Sequence, residues 1–199
     1  EYDTKKKLSE FIIKSNRLSM GEKCFEFEKK FAQYQSTKYA TLFNSGGSAN
    51  LALLQSLKNL GRLKDYDKIG FSALTWSTNV MPIIQMGMIP VPIDVEPNTL
   101  NIMSDNLLSR MKDTKMDALF ITNALGFAGD LHKIKEICDD KEILFIEDNC
   151  ESLGAELEND KTGNYGLAST FSFFVAHHMS TIEGGMVCTN DEILSEMLK

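Results

Sequence analysis

Residues 142–152 read EILFIEDNCES. An apolar run from Ile143 to Ile146 passes straight into two carboxylates, Glu147 and Asp148, and a third, Glu151, follows three residues after Asp148. A short apolar run of this kind is the pattern of a buried strand, and 142–148 is the clearest strand in the chain. A carboxylate at the end of such a strand caps a helix or pairs with a neighbouring cation. The alternative is that Asp148 is a buried acceptor for a protonated ring nitrogen, with Glu151 able to touch the same ligand.

The rest of the chain repeats this grammar. Short apolar runs predict strands at 39–44 (YATLFN), about 68–71, 88–95, 118–123, 169–174 and 185–190. Longer amphipathic stretches predict helices at 22–34, at 48–60 with Gly61 as the stop, from about 78 to 86, around 107–111, and at 130–140 with Asp130 as the cap. Strands alternating with helices specify β-α-β units, so the expected fold is a single α/β domain with a mostly parallel sheet of roughly seven strands flanked by helices. Ligands in such sheets collect beyond the carboxyl ends of the strands. The chain opens at Glu1 without a methionine and closes at Lys199 inside DEILSEMLK, a helix with Asp191 as N-cap. A fragment is therefore expected.

Composition narrows the class. Of 199 residues, 43% are hydrophobic and 25% charged, as in a globular domain with one sizeable core, and the net charge of -7 gives no footprint for nucleic acid or an acidic membrane. The one basic run, Lys5-Lys6-Lys7, reads as a solvated helix face. Cys24, Cys138, Cys150 and Cys188 lie far apart without a C-x-x-C pair, so neither a metal site nor a disulfide framework is expected. Reduced thiols, no membrane span and no signal segment predict a cytoplasmic protein.

Other strand ends carry candidate residues. After YATLFN comes Ser45-Gly46-Gly47-Ser48-Ala49, opening a helix. Small residues at a helix N-terminus can cradle a phosphate, although a glycine pair there also makes an ordinary tight turn. Trp76, the single tryptophan, sits among Thr75, Ser77, Thr78 and Asn79, an odd setting for plain core. Ser172 lies in FSFF, five residues before His177, and His177 and His178 are two of only three histidines. Adjacent side chains point in different directions, so at most one of the pair is expected to face a shared site.

Together these segments resemble the DegT-type sugar aminotransferase family, which has the aspartate-aminotransferase fold around pyridoxal 5'-phosphate. The likeness runs through GEKCFEFEKKFAQYQSTKYATLFNSGGSANLALL, ALTWSTNVMPIIQMGMIPVPIDVEPNTLNI, ITNALGFAGDLHKI, LFIEDNCESLGAEL and FSFFVAHH with EGGMVCTND. It implies that residues 1–199 are the N-terminal and large cofactor-binding domain, with a C-terminal small domain outside them. It further implies that Gly47 and Ser48 hold the cofactor phosphate through backbone N–H groups. Ser172 adds a side-chain contact, Trp76 stacks on the pyridine ring, Asp148 pairs with the ring nitrogen, and Glu151 stands near the ring hydroxyl. The family's quaternary structure implies a homodimer.

One position departs from the aminotransferase pattern. Where that family has a lysine that binds the cofactor covalently, five residues after the serine, this chain has His177, and no lysine occurs between Lys161 and Lys199. Imidazole can still move protons near neutral pH. The exchange resembles the lysine-lacking nucleotide-sugar 3-dehydratase branch. It implies removal of the C3 hydroxyl from a nucleotide-linked 4-keto-6-deoxyhexose (GDP-4-keto-6-deoxymannose-like), using pyridoxamine 5'-phosphate regenerated by an amino donor such as glutamate. The alternatives are an iron–sulfur-dependent 3-dehydratase acting on CDP-sugars, a nucleotide-sugar aminotransferase, and a catalytically silent regulatory protein of the same fold.

Overall fold

The computed structural model describes residues 2–199. Helices α1 (Tyr2–Lys14) and α2 (Glu22–Gln35) precede β1 (Tyr39–Phe43), α3 (Gly46–Asn59), β2 (Lys68–Ser72), α4 (Ser77–Gln85) and β3 (Ile89–Ile93). Then come α5 (Ser104–Met111), β4 (Ala118–Thr122), α6 (Leu131–Asp140) and β5 (Leu144–Asp148). A small hairpin of β6 (Glu156–Leu157) and β7 (Asp160–Lys161) follows, and β8 (Ala168–Ser172), β9 (Gly185–Thr189) and α7 (Glu192–Met197) complete the order.

Among the described residues, seven strands form one sheet in the order β1-β9-β8-β5-β4-β2-β3. Neighbours from β8 through β3 pair in parallel, whereas β9 runs antiparallel to both β8 and β1. The expected α/β architecture, mostly parallel and flanked by helices, is the one observed.

β5 is the central strand, and its alternation divides the molecule. Ile146 packs with Leu53 and Leu57 of α3, Ile83 of α4 and Phe120 of β4 in one apolar cluster. Phe145 faces the other way, into a cluster with Leu107 of α5 and Leu131 and Ile134 of α6. A third cluster sets Phe31 of α2 against Phe171 and Phe173, with ring centroids 5.0 and 5.3 Å apart.

Caps follow the sequence with one exception. Asp191 caps α7, accepting from the Leu194 N–H at 2.9 Å. Asp130 precedes α6 but does not cap it through its side chain. Its carboxylate instead accepts from the Ser104 N–H at 2.7 Å and the Ser104 hydroxyl at 2.6 Å, so it secures the start of α5. Two donors on one residue of a neighbouring element outcompete the local cap.

Candidate active site

The carboxyl ends of β4, β5 and β8 and the N-termini of α3 and α4 enclose a cavity of about 840 Å³. Its wall includes Gly47, Trp76, Asp148, Glu151, Ser172 and His177, bringing together six of the residues singled out from the sequence. Ser48 is the seventh, and it does not line the cavity. Its N–H donates to the Ser45 hydroxyl at 3.1 Å as the N-cap bond of α3. The helix start is therefore earlier than the sequence pattern suggested, and Ser45, Gly46 and Gly47 face the cavity.

This start has the shape an anion needs. The first N–H groups of a helix lack intrahelical acceptors, and the helix dipole favours negative charge there. Gly46 is sterically required, and Gly47 sits in a tight contact. A Cβ on Gly46 would lie 2.6 Å from the Ser172 Cβ, and one on Gly47 would lie 3.2 Å from the Thr78 Cγ2. Gly185 of β9 has the same constraint from behind, since its Cβ would fall 2.1 Å from the Ser45 carbonyl oxygen. Three chain segments thus press against one another at the α3 start.

Asp148 forms part of the cavity wall at the end of β5, only 2% exposed. Its Oδ1 accepts from the Cys150 N–H at 2.8 Å. Its Oδ2 accepts from the Asn79 amide at 2.6 Å and the Asn50 amide at 3.1 Å. All three of these partners are donors. Burial, followed by the charge of Asp148, pushes the Cys150 thiol well above its ordinary range, so this cavity-lining cysteine stays protonated.

Glu151 accepts from the Leu125 N–H at 3.0 Å, fixing the short 3-10 turn Ala124–Gly126 at the rim, where Leu125 has a φ of 54°. Thr75 and Thr122 share a hydrogen bond at 2.5 Å across the mouth. Trp76 ends the loop before α4 and is 70% exposed, its position in the wall leaving its ring available to a ligand. Ser172 accepts from the Phe174 N–H at 3.3 Å.

His177 and His178 both border the cavity. They lie in the irregular segment between β8 and β9, where side chains do not alternate as they do along a strand. The His177 N–H donates to the Phe174 carbonyl at 3.0 Å, and its ring stands edge-on to Phe174 with centroids 6.2 Å apart. No lysine lines this cavity among the described residues. Reading the sequence alone passes over Asn50, Asn79 and Glu183; an asparagine inside the apolar helix SANLALL is the available signal for the first.

A cavity of this size falls in the range of small-molecule and cofactor sites. A phosphate cradle at one end, an anion held by donors in the wall and an exposed indole at the mouth fit a cationic aromatic ring that carries a phosphate. The site has the form of a cofactor site in an α/β protein, set beyond the carboxyl ends of the strands. A profile of the DegT/DnrJ/EryC1/StrS aminotransferase family matches residues 2–199, and the chain belongs to that family.

Among individual relatives, the GDP-4-keto-6-deoxy-D-mannose 3-dehydratase of Yersinia pseudotuberculosis is 40% identical over 189 residues, covering 94% of this chain and 48% of that protein. A structure of the E. coli GDP-4-keto-6-deoxy-D-mannose-3-dehydratase with bound hydrated PLP matches with a TM-score of 0.85 at 38% identity, over 90% of this chain and 46% of that one. A GDP-4-keto-6-deoxymannose-3-dehydratase with a trapped PLP-glutamate geminal diamine matches with a TM-score of 0.90 at 36% identity, over 95% and 49%. The chain spans about half the length of these relatives. No described helix is long and apolar enough to cross a membrane.

Proposed function

We propose that the whole protein is a pyridoxal/pyridoxamine 5'-phosphate-dependent 3-dehydratase that removes the C3 hydroxyl of a nucleotide-linked 4-keto-6-deoxyhexose, with GDP-4-keto-6-deoxymannose as the foremost candidate substrate. The observation that carries this reading is His177, in the cavity wall five residues past Ser172, in a cavity lined by no lysine among the described residues. When bound, the pyridoxamine form supplies an amine for the sugar's C4 ketone and a ring that accepts electrons.

This chain's residues would divide the remaining work. Gly46 and Gly47 receive the phosphate through backbone N–H groups, and Ser172 adds its hydroxyl. Trp76 covers the ring face. Asp148 keeps the ring nitrogen protonated by presenting a fixed negative charge, which makes the ring the stronger electron acceptor. His177 would take a proton from the C4' carbon of the pyridoxamine, freeing the electron pair that displaces the C3 oxygen, and hand that proton to the oxygen so that it leaves as water, transfers that imidazole performs well near neutral pH. Without a covalently tethering lysine amine, productive nitrogen transfer to the sugar loses its proton shuttle and elimination prevails.

The same reading makes residues 1–199 the N-terminal and large cofactor-binding domain of a longer, cytoplasmic homodimer, with glutamate as the amino donor. Its support is the match to half of each relative and the glutamate adduct trapped in one of them. The test is incubation of full-length protein with pyridoxal 5'-phosphate, glutamate and GDP-4-keto-6-deoxymannose, with product analysis by mass spectrometry. A 3-deoxy sugar is the expected product, and a 4-amino sugar in its place would overturn the dehydratase reading.

A further inference from the structure

Two asparagines beneath Asp148 have an arrangement that ordinary core amides do not need. Asn50, on α3, and Asn79, on α4, are 0% and 1% exposed. Both donate to the same carboxylate oxygen, Asp148 Oδ2. Asn50 uses its amide nitrogen a second time, donating to the Thr78 carbonyl at 3.1 Å, so it also holds the first turn of α4. In each case the amide oxygen, Oδ1, is buried without a hydrogen-bond partner among the described residues. Turning either amide over would set its oxygen against the carboxylate. A buried acceptor left unpaired is costly, so both amides are oriented by Asp148 at the expense of their own oxygens.

The consequence is geometric as well as electrostatic. Asn50 lies three residues beyond Gly47, and Asn79 three residues beyond Trp76. The pair therefore ties the phosphate cradle on α3, the indole on α4 and the carboxylate on β5 into one buried joint. Resting on the reading of the cavity as a pyridoxal phosphate site, we infer that Asn50 and Asn79 are positioning residues that act through Asp148, holding its carboxylate in register with the other two cofactor contacts.

The other titratable groups around the cavity are Cys150 and Glu151 on the loop after β5, and His177, His178 and Glu183 on the segment between β8 and β9. The walls contributed by α3, α4 and β4 bring none. Glu147 lies on the opposite face of β5. Among the described residues no lysine or arginine lines the wall beside Asp148, which leaves uncharged donors, among them the two amides, the Cys150 N–H and the Cys150 thiol, as its partners.

The experiment uses full-length protein and pyridoxal 5'-phosphate as the probe, with affinity measured by equilibrium dialysis from pH 5 to pH 8. Four variants are compared with the parent: Asn79→Ala, Asn50→Leu, Asp148→Asn and Asn79→Ala combined with Asp148→Asn. Each asparagine variant is expected to weaken binding about tenfold at pH 7, the loss of one hydrogen bond to a charged group. Its acid-side loss of binding is expected to begin at a higher pH than in the parent, because the carboxylate then has one donor fewer. In the Asp148→Asn background, Asn79→Ala is expected to cost little more.

If Asn79→Ala weakens binding equally in both backgrounds and leaves the pH profile in place, the inference is overturned while the cofactor reading stands. If Asp148→Asn itself leaves affinity unchanged, the cofactor reading falls and takes the inference with it. Should Asn79→Ala lose the native far-UV circular dichroism, Asn50→Leu, which preserves bulk, decides on its pH profile alone.

Discussion

Glu147 and Asp148 are neighbours on one strand, and both are essentially buried, yet the structure uses them in opposite ways. Glu147, 0% exposed, points away from the cavity and accepts from the N–H groups of Gly163, Tyr165 and Gly166 and from the Asn123 amide, at 2.8–2.9 Å. Burial pushes its carboxyl upward, and these four donors offset part of that push. Three of these bonds pin the turn that leads into β8, and the fourth ties it to the end of β4. Asp148 has three donors and a cavity in front of it. The two faces of one strand thus carry a carboxylate saturated by its own chain and a carboxylate that the chain supports only from behind. Full internal satisfaction marks a scaffold role, and satisfaction from one side marks a site.

That contrast breaks if the two residues respond alike to substitution. Glu147→Ala leaves four buried donors without an acceptor and is expected to cost about 3–5 kcal/mol of folding stability, read by urea denaturation, since removing one partner from a buried charged network has that scale. Asp148→Asn is expected to change stability by less than about 1 kcal/mol while weakening pyridoxal phosphate binding at least about thirtyfold, the loss of a buried charge partner; equal losses of stability in both variants would erase the distinction.

His177→Ala sharpens the cavity side further. It is expected to lower the rate of 3-deoxy sugar formation by about 10²–10⁴, with cofactor affinity within about threefold of the parent. A parallel collapse of affinity would make His177 a binding group rather than a proton carrier. Asp191 supplies the mildest case, a carboxylate near the surface. Its bond to Arg62 at 2.6 Å, with the cap bond to Leu194, holds its carboxyl below the ordinary 3.8. A lowered value means the contribution is present above about pH 4 and is lost as pH falls through that lowered value. Asp191→Ala is expected to cost about 1 kcal/mol at pH 7 and nothing near pH 2 by thermal denaturation.

The buried parallel strands were legible because burial on both faces writes itself as an unbroken apolar run. The β6–β7 hairpin was not, since two-residue strands in LENDK carry neither periodicity nor apolar weight. Asp148, Trp76 and His177 were legible by their place just past apolar runs. The Asn50–Asn79 pair stayed hidden because its partners lie 98 and 69 residues away in sequence, at a distance no local pattern spans. What Ser48 can offer, and which of His177 and His178 serves the site, turn on where a helix starts and on whether a segment is a strand, which no local pattern fixes.

The antiparallel β9 has a consequence for how this molecule is made. Among the described residues it is the only sheet neighbour of β1, with Tyr39 opposite Thr189 and Phe43 opposite Gly185. Residues 39–43, which deliver the Ser45–Gly47 cradle, therefore have no place in the sheet until the ribosome has released nearly everything up to Thr189. At roughly 5–20 residues per second that wait is on the order of ten seconds. The cradle is thus synthesised well before the strand that seats it. Cofactor capture during translation is then a signal that the sheet has closed.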